Sequence, residues 1–119
     1  MVWDENRIDL LEEFKVILMD TNMKCIAISH VCIGKYGSCI VEPRQIFATA
    51  LIYHASGLVL AHNHPDGDLR PRKSDFDITE KMAFGGSILG IQIHDHLILS
   101  SKGYLSFAKE KMMPQPMYL

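Results

Sequence analysis

The sequence predicts an α/β (α+β) domain in which a mixed β-sheet is flanked by helices. Three observations point to it. Two strand-like runs, Phe14–Met19 and Lys24–Ile33, are separated by only four residues, which is the spacing of a hairpin. A short and wholly apolar run, Leu58–Ala61, lies between two segments of helical periodicity, as expected of a strand at the sheet centre. A last strand, Ile91–Leu99, alternates with period two.

The elements follow in order. Residues 4–13 hold five acids and one Arg and predict a short amphipathic helix at the front. Asp20-Thr21-Asn22 forms the turn between the first two strands, and Gly34-Lys35-Tyr36-Gly37-Ser38 is a loop. Pro43 suits the first turn of a helix, and Ile46, Phe47, Ala50, Leu51 and His54 then fall on one stripe before Gly57 ends it. Residues 62–71 form a polar loop with two prolines. A second helix runs from about 73 to 89, weakened locally by Gly85-Gly86. Tyr104-Leu105 pairs back after a turn at 101–103, and the tail from Met112 is expected to fray.

Composition narrows the function classes. The chain has 119 residues, one domain's worth, and 48% of them are hydrophobic, which excludes a disordered chain. No apolar run approaches the ~18 residues of a membrane span. The start, Met1-Val2-Trp3-Asp4-Glu5-Asn6, is acidic where a secretory signal would be basic, so a cytoplasmic location is expected. Twelve basic and 14 acidic residues give a net charge of −2, and nucleic-acid binding draws no support from that balance. Cys25, Cys32 and Cys39 are odd in number and form no C-x-x-C pair, so free thiols are expected rather than disulfides or a thiolate metal site.

One segment carries chemistry: His62-Asn63-His64-Pro65-Asp66-Gly67, leading through Pro71 to Asp75 at the start of the second helix. Two histidines one residue apart at the end of a buried strand can turn both imidazoles toward one ion. A carboxylate returning from the next helix, eleven residues beyond His64, supplies a third ligand. Two histidines and one carboxylate leave a position for water, which is how hydrolytic metal sites are built. Asp77 rivals Asp75 for the third place, because Ser74 and Asp77 could form a capping box and start the helix later. His94 and His96, separated by Asp95, form a second H-x-H expected to share one strand face, and no carboxylate that would complete a metal site with them is evident in sequence. A His-Asn-His nuclease is disfavoured by the strand–loop–helix order. A cytidine deaminase is disfavoured further by the lack of H-x-E and P-C-x-x-C.

The segment resembles the JAMM motif of JAB/MPN metalloprotease-like domains, and among these the RadC family, whose pattern is H-N-H-P-S-G-x-x-x-P-S-x-x-D. His62-Asn63-His64-Pro65, Gly67, Pro71 and Asp75 fall in register. So do Val41, Pro43-Arg44 and Phe47 upstream, and Gly90-Ile91, Asp95-His96-Leu97-Ile98 and Ser106-Phe107-Ala108 downstream. The resemblance covers about residues 14–110. It implies a single JAB/MPN domain over 1–119 that resembles the cytidine-deaminase-like fold, without the helix-hairpin-helix region of longer relatives. It implies one Zn2+ per chain on His62, His64 and Asp75, and hydrolysis of a peptide or isopeptide bond in a peptide or protein substrate. The family carries a DNA-repair label, which no residue pattern here supports physically.

Two departures from the pattern bear on the chemistry. Arg72 stands where the family has Ser; it cannot cap a helix, but its guanidinium could stabilise developing negative charge, and Ser74 supplies a hydroxyl two residues on. The family's general-base Glu falls, in this register, on Ser29 and His30 of the second strand, and the Glu after Pro-Arg is Gln45 here. Glu42 is the nearest substitute in sequence, Glu12 or Glu13 could enter from the front helix, and His30 could itself act as base. Without a base in place, the alternative is a catalytically degenerate module that binds a metal or a protein. A homodimer through an edge strand near Val31 and Ile33 is compatible with the sequence.

Overall fold

A computed structural model describes residues 3–35 and 37–114. Seven elements follow in order: β1 (Glu12–Met19), β2 (Cys25–Gly34), α1 (Pro43–Ile52), β3 (Gly57–Asn63), α2 (Lys73–Leu89), β4 (Gln92–Ser100) and β5 (Gly103–Ser106). They build a five-stranded mixed sheet in the order β2-β1-β3-β4-β5. Only β3 and β4 run parallel, joined by the α2 crossover; the other neighbours are antiparallel. No helix among the described residues is long and apolar enough to cross a membrane.

Strand alternation divides the core between the two faces of the sheet. Phe14, Val16 and Leu18 of β1, Leu58 and Leu60 of β3 and Ile93 of β4 meet Ile46, Phe47 and Ala50 of α1 and Met82 of α2 in one cluster. Both helices therefore share one face. Gly85 makes room for this: a Cβ there would come within 2.7 Å of the Phe47 ring. At Gly86 it would strike the Ile91 carbonyl oxygen, so the helix tolerates the glycine pair because the packing requires it.

The opposite face is covered by the N-terminal segment, where Trp3 and Ile8 pack on Ala61, Leu97 and Leu99. The front helix expected over 4–13 is not formed. Asp4 accepts from Arg7 and Ile8, and the bonding then starts afresh from the Arg7 carbonyl to Leu10 and Leu11, so the segment is two single turns. Glu12 and Glu13 belong to β1 instead, and the Glu13 N–H donates to Asn63 Oδ1 at 2.7 Å. α1 ends at Ile52, and His54, expected on its buried stripe, is exposed in the following turn at φ 54°. Of the expected frayed tail, residues 115–119 lie outside the described residues.

A β-bulge breaks the expected pairing of His94 with His96 on one face. Leu58 pairs with Ile93 but Val59 with Asp95, so the buried positions step from Ile93 to His96 and leave His94 half-exposed.

Candidate metal centre

The centre sits at the carboxyl end of β3, where the parallel strand hands over to the loop before α2. His62 and His64 are two residues apart on the strand end and project to the helix side, and Asp75 returns from the first turn of α2. All three are buried. His62 Nε2 lies 3.0 Å from His64 Nε2 and 3.1 Å from Asp75 Oδ1, and His64 Nε2 is 3.2 Å from Asp75 Oδ2. One ligand atom from each residue lies within 4.8 Å of the other two. The edge of a tetrahedron with metal–ligand bonds of about 2.0–2.1 Å is about 3.3 Å, so the donor spacing fits a small divalent ion on these three residues.

Hydrogen bonds behind the two rings fix which nitrogen of each faces inward. His64 Nδ1 donates to the Asp68 carbonyl at 2.6 Å, which leaves Nε2 as its ligand atom. His62 Nδ1 contacts His96 Nε2 at 2.8 Å, and His96 Nδ1 contacts Thr79 Oγ1 at 2.6 Å. The Thr79 hydroxyl donates to the Asp75 carbonyl at 2.6 Å. Read from that last bond, His96 Nδ1–H donates to Thr79 and His62 Nδ1–H donates to His96, again leaving His62 Nε2 for the ion. Phe14, paired with His62 across the strands, stacks on its ring at 5.6 Å.

Charge follows geometry. Burial alone would raise the Asp75 carboxyl, but contacts with His62, His64 and the Arg72 N–H outweigh it and hold Asp75 well below the usual carboxylate range. Burial alone would lower His64, but its contacts with Asp75 and the Asp68 carbonyl raise it. Burial, then the neighbouring His62, push His96 down to about 3, which keeps it the neutral link that the hydrogen-bond chain needs.

Asp75, not Asp77, meets the histidines. α2 begins at Lys73, two residues earlier than a Ser74–Asp77 box would start it, and the Arg72 N–H donates to Asp75 Oδ2 at 2.7 Å. Asp77 is half exposed and pairs with Lys73 at 3.3 Å.

An open cavity of about 350 Å³ reaches His62 and Asp75 of the triad and is lined also by Glu12, Phe14, Arg72 and Ser74, among others. Gly37, Cys39, Ile40 and Val41 of the β2–α1 loop form another part of its wall. Arg72 and Ser74 therefore share the cavity with His62 and Asp75. Glu42 does not line it; it is exposed at the N-cap of α1. Gln45 is exposed, His30 is exposed on the edge strand β2, and Glu13 faces the other side of the sheet toward Arg7.

Besides Asp75, the cavity is lined by the carboxylates of Glu12, which is buried, and of Asp77, which is half exposed. Glu12 is the one held beside the candidate ligands. Its Oε2 accepts from Gly37 N–H at 3.1 Å and from Arg72 Nη2 at 3.2 Å. Both contacts fall on one oxygen. The sequence signal for it was the two-residue offset that puts Glu12 on the same strand face as Phe14, and so beside His62 once Phe14 pairs with His62.

Asn63, between the two histidines, points to the opposite face. It accepts from Glu13 N–H and donates to the Ile8 and Leu11 carbonyls, both at 2.8 Å, pinning the N-terminal segment behind the centre.

The model of the RadC-like JAB domain matches residues 1–112. The chain belongs to this family. Similar curated proteins of the RadC-like group include a UPF0758 protein of Thermotoga maritima, 41% identical over 83% of this chain and 45% of its own length. Another, from Caldanaerobacter subterraneus subsp. tengcongensis, is 37% identical over 90% of this chain and 49% of its own. A third, from Alkaliphilus metalliredigens, is 35% identical over 95% of this chain and 49% of its own. This RadC-like chain spans about half the length of the curated relatives it matches.

Proposed function

We propose that this RadC-like JAB domain holds one zinc ion on His62, His64 and Asp75 and hydrolyses a peptide or isopeptide bond in a peptide or protein substrate. The reading is carried by one observation: three buried donors converge at 3.0–3.2 Å beside a cavity that a further buried carboxylate, Glu12, also lines. Zinc held there would supply a Lewis acid and bring the pKa of bound water toward about 7. Glu12 takes the proton of the attacking water and returns it to the leaving amine. The Gly37 N–H steadies its carboxylate from the loop side. The Ser74 hydroxyl on the cavity wall is the donor for the carbonyl oxygen. The Phe14 ring stacked on His62 keeps water from one side of the ligand set.

A second reading has its own observation. The Arg72–Glu12 contact at 3.2 Å ties up an acceptor of the candidate base, which suits a metal-binding interaction module without turnover. Incubating the zinc-loaded protein and its Glu12→Gln variant with a library of peptides and isopeptide-linked conjugates separates the two. Hydrolysis that falls by about 100-fold or more in the variant, with zinc retained, supports the hydrolase. Zinc-loaded wild type that cleaves nothing supports the module.

A further inference from the structure

Arg72 is misplaced for a helix-capping role. N-cap positions favour Ser, Thr, Asp or Asn because those side chains accept from the first turn. A guanidinium has five donors and no acceptor. The Arg72 backbone N–H donates to the Asp75 carboxylate, a capping bond that makes no use of the guanidinium. The side chain folds back into the cavity instead. Its Nη2 is 3.2 Å from Glu12 Oε2 and its Nε 3.9 Å from Asp75 Oδ2, and both carboxylate side chains are only 7% exposed.

Two buried carboxylates facing one cavity repel each other unless a cation stands between them. With neutral imidazoles, Glu12, Asp75 and Arg72 sum to a formal charge of −1; without Arg72 the sum is −2. A divalent ion on His62, His64 and Asp75 therefore approaches a site already partly neutralised by a fixed positive charge that touches one of its ligands.

We infer that Arg72 is a positioning residue that acts as a built-in counter-cation. It steadies Glu12 beside Asp75 and sets the affinity for a divalent ion below what the two histidines and the aspartate would give alone. The inference rests on the metal-binding part of the reading above and not on the hydrolytic part. It also gives the Arg at this position a task that a Ser there could not perform.

The test is zinc affinity of the full chain, by competition with a chromophoric chelator, for wild type, Arg72→Gln, Arg72→Ser and Arg72→Lys, alongside thermal unfolding of the metal-free proteins. The two neutral variants should bind zinc about tenfold tighter or more, as expected for removing a unit charge a few ångströms from the ion. Arg72→Lys should stay within about threefold of wild type, because the charge is kept. The metal-free neutral variants should unfold at lower temperature, since their carboxylates have lost a counter-ion. Should one neutral variant fail to fold, the other carries the comparison. Lower unfolding temperature with unchanged or weaker zinc affinity would make Arg72 a structural residue only and overturn the inference while leaving the metal site standing. A wild type that binds no zinc overturns both.

Discussion

His62 Nδ1 lies 2.8 Å from His96 Nε2, and this contact turns the His62 Nε2 lone pair toward Asp75 and His64. His96 is held in turn by Thr79, whose hydroxyl closes the chain on the backbone of Asp75. A buried line of hydrogen bonds thus begins at one candidate ligand and ends at another. It explains why a fully buried histidine pair is tolerated beneath the centre: each ring nitrogen has a partner.

Thr79→Val removes the hydroxyl at nearly constant volume and leaves His96 Nδ1 unpartnered. Free of its anchor, His96 can take the other tautomer and His62 loses its fixed orientation. Zinc affinity by chelator competition should fall about 10–100-fold, while circular dichroism shows the fold intact. Unchanged affinity would show that the hydrogen-bond line does not orient the ligand.

Asn63→Ala breaks three hydrogen bonds, two of them buried and one partly so, that tie Ile8, Leu11 and Glu13 to the strand. The loss should be about 2–4 kcal/mol, because the freed backbone groups lie against the sheet without replacement partners. Chemical denaturation measures it, and limited proteolysis should cut first within residues 4–11. A variant as stable and as protease-resistant as wild type would refute the pinning role.

Cys39, on the loop side of the cavity wall, offers a pH test that titrates none of the candidate ligands. Burial first, then contact with Cys32, push its thiol from the ordinary 9.0 up to about 12. Its neutral form is favoured in the folded chain, so the associated stability is fully present below pH 9 and is lost as pH rises toward 12. At pH 8.5 iodoacetamide should modify the exposed Cys25 well before Cys39, read by peptide mass mapping. Equal rates for the two thiols would contradict the assignment.

The convergence of His62, His64 and Asp75 was legible because it is local. His62 and His64 share a strand end, and Asp75 follows across one loop whose length the prolines and Gly67 define. The sheet was legible for the same reason: β1 and β2 are neighbours in sequence, and the apolar Leu58–Ala61 run could only be a central strand. What could not be read was non-local. Glu12 joins the cavity through the pairing of Phe14 with His62, a register that no local pattern announces, and the acids around it suggested a solvated helix. The N-terminal segment gave the same false impression, since its role is set by Asn63 some fifty residues away. The bulge that separates His94 from His96 likewise depends on how β4 meets β3.

The central claim is that His62, His64 and Asp75 hold a metal ion. Elemental analysis of the purified chain, after zinc addition and dialysis, tests it most directly beside His64→Ala and Asp75→Ala. The account predicts about one zinc per wild-type chain and none in either variant. Wild type without zinc, or variants that keep it, would contradict the account.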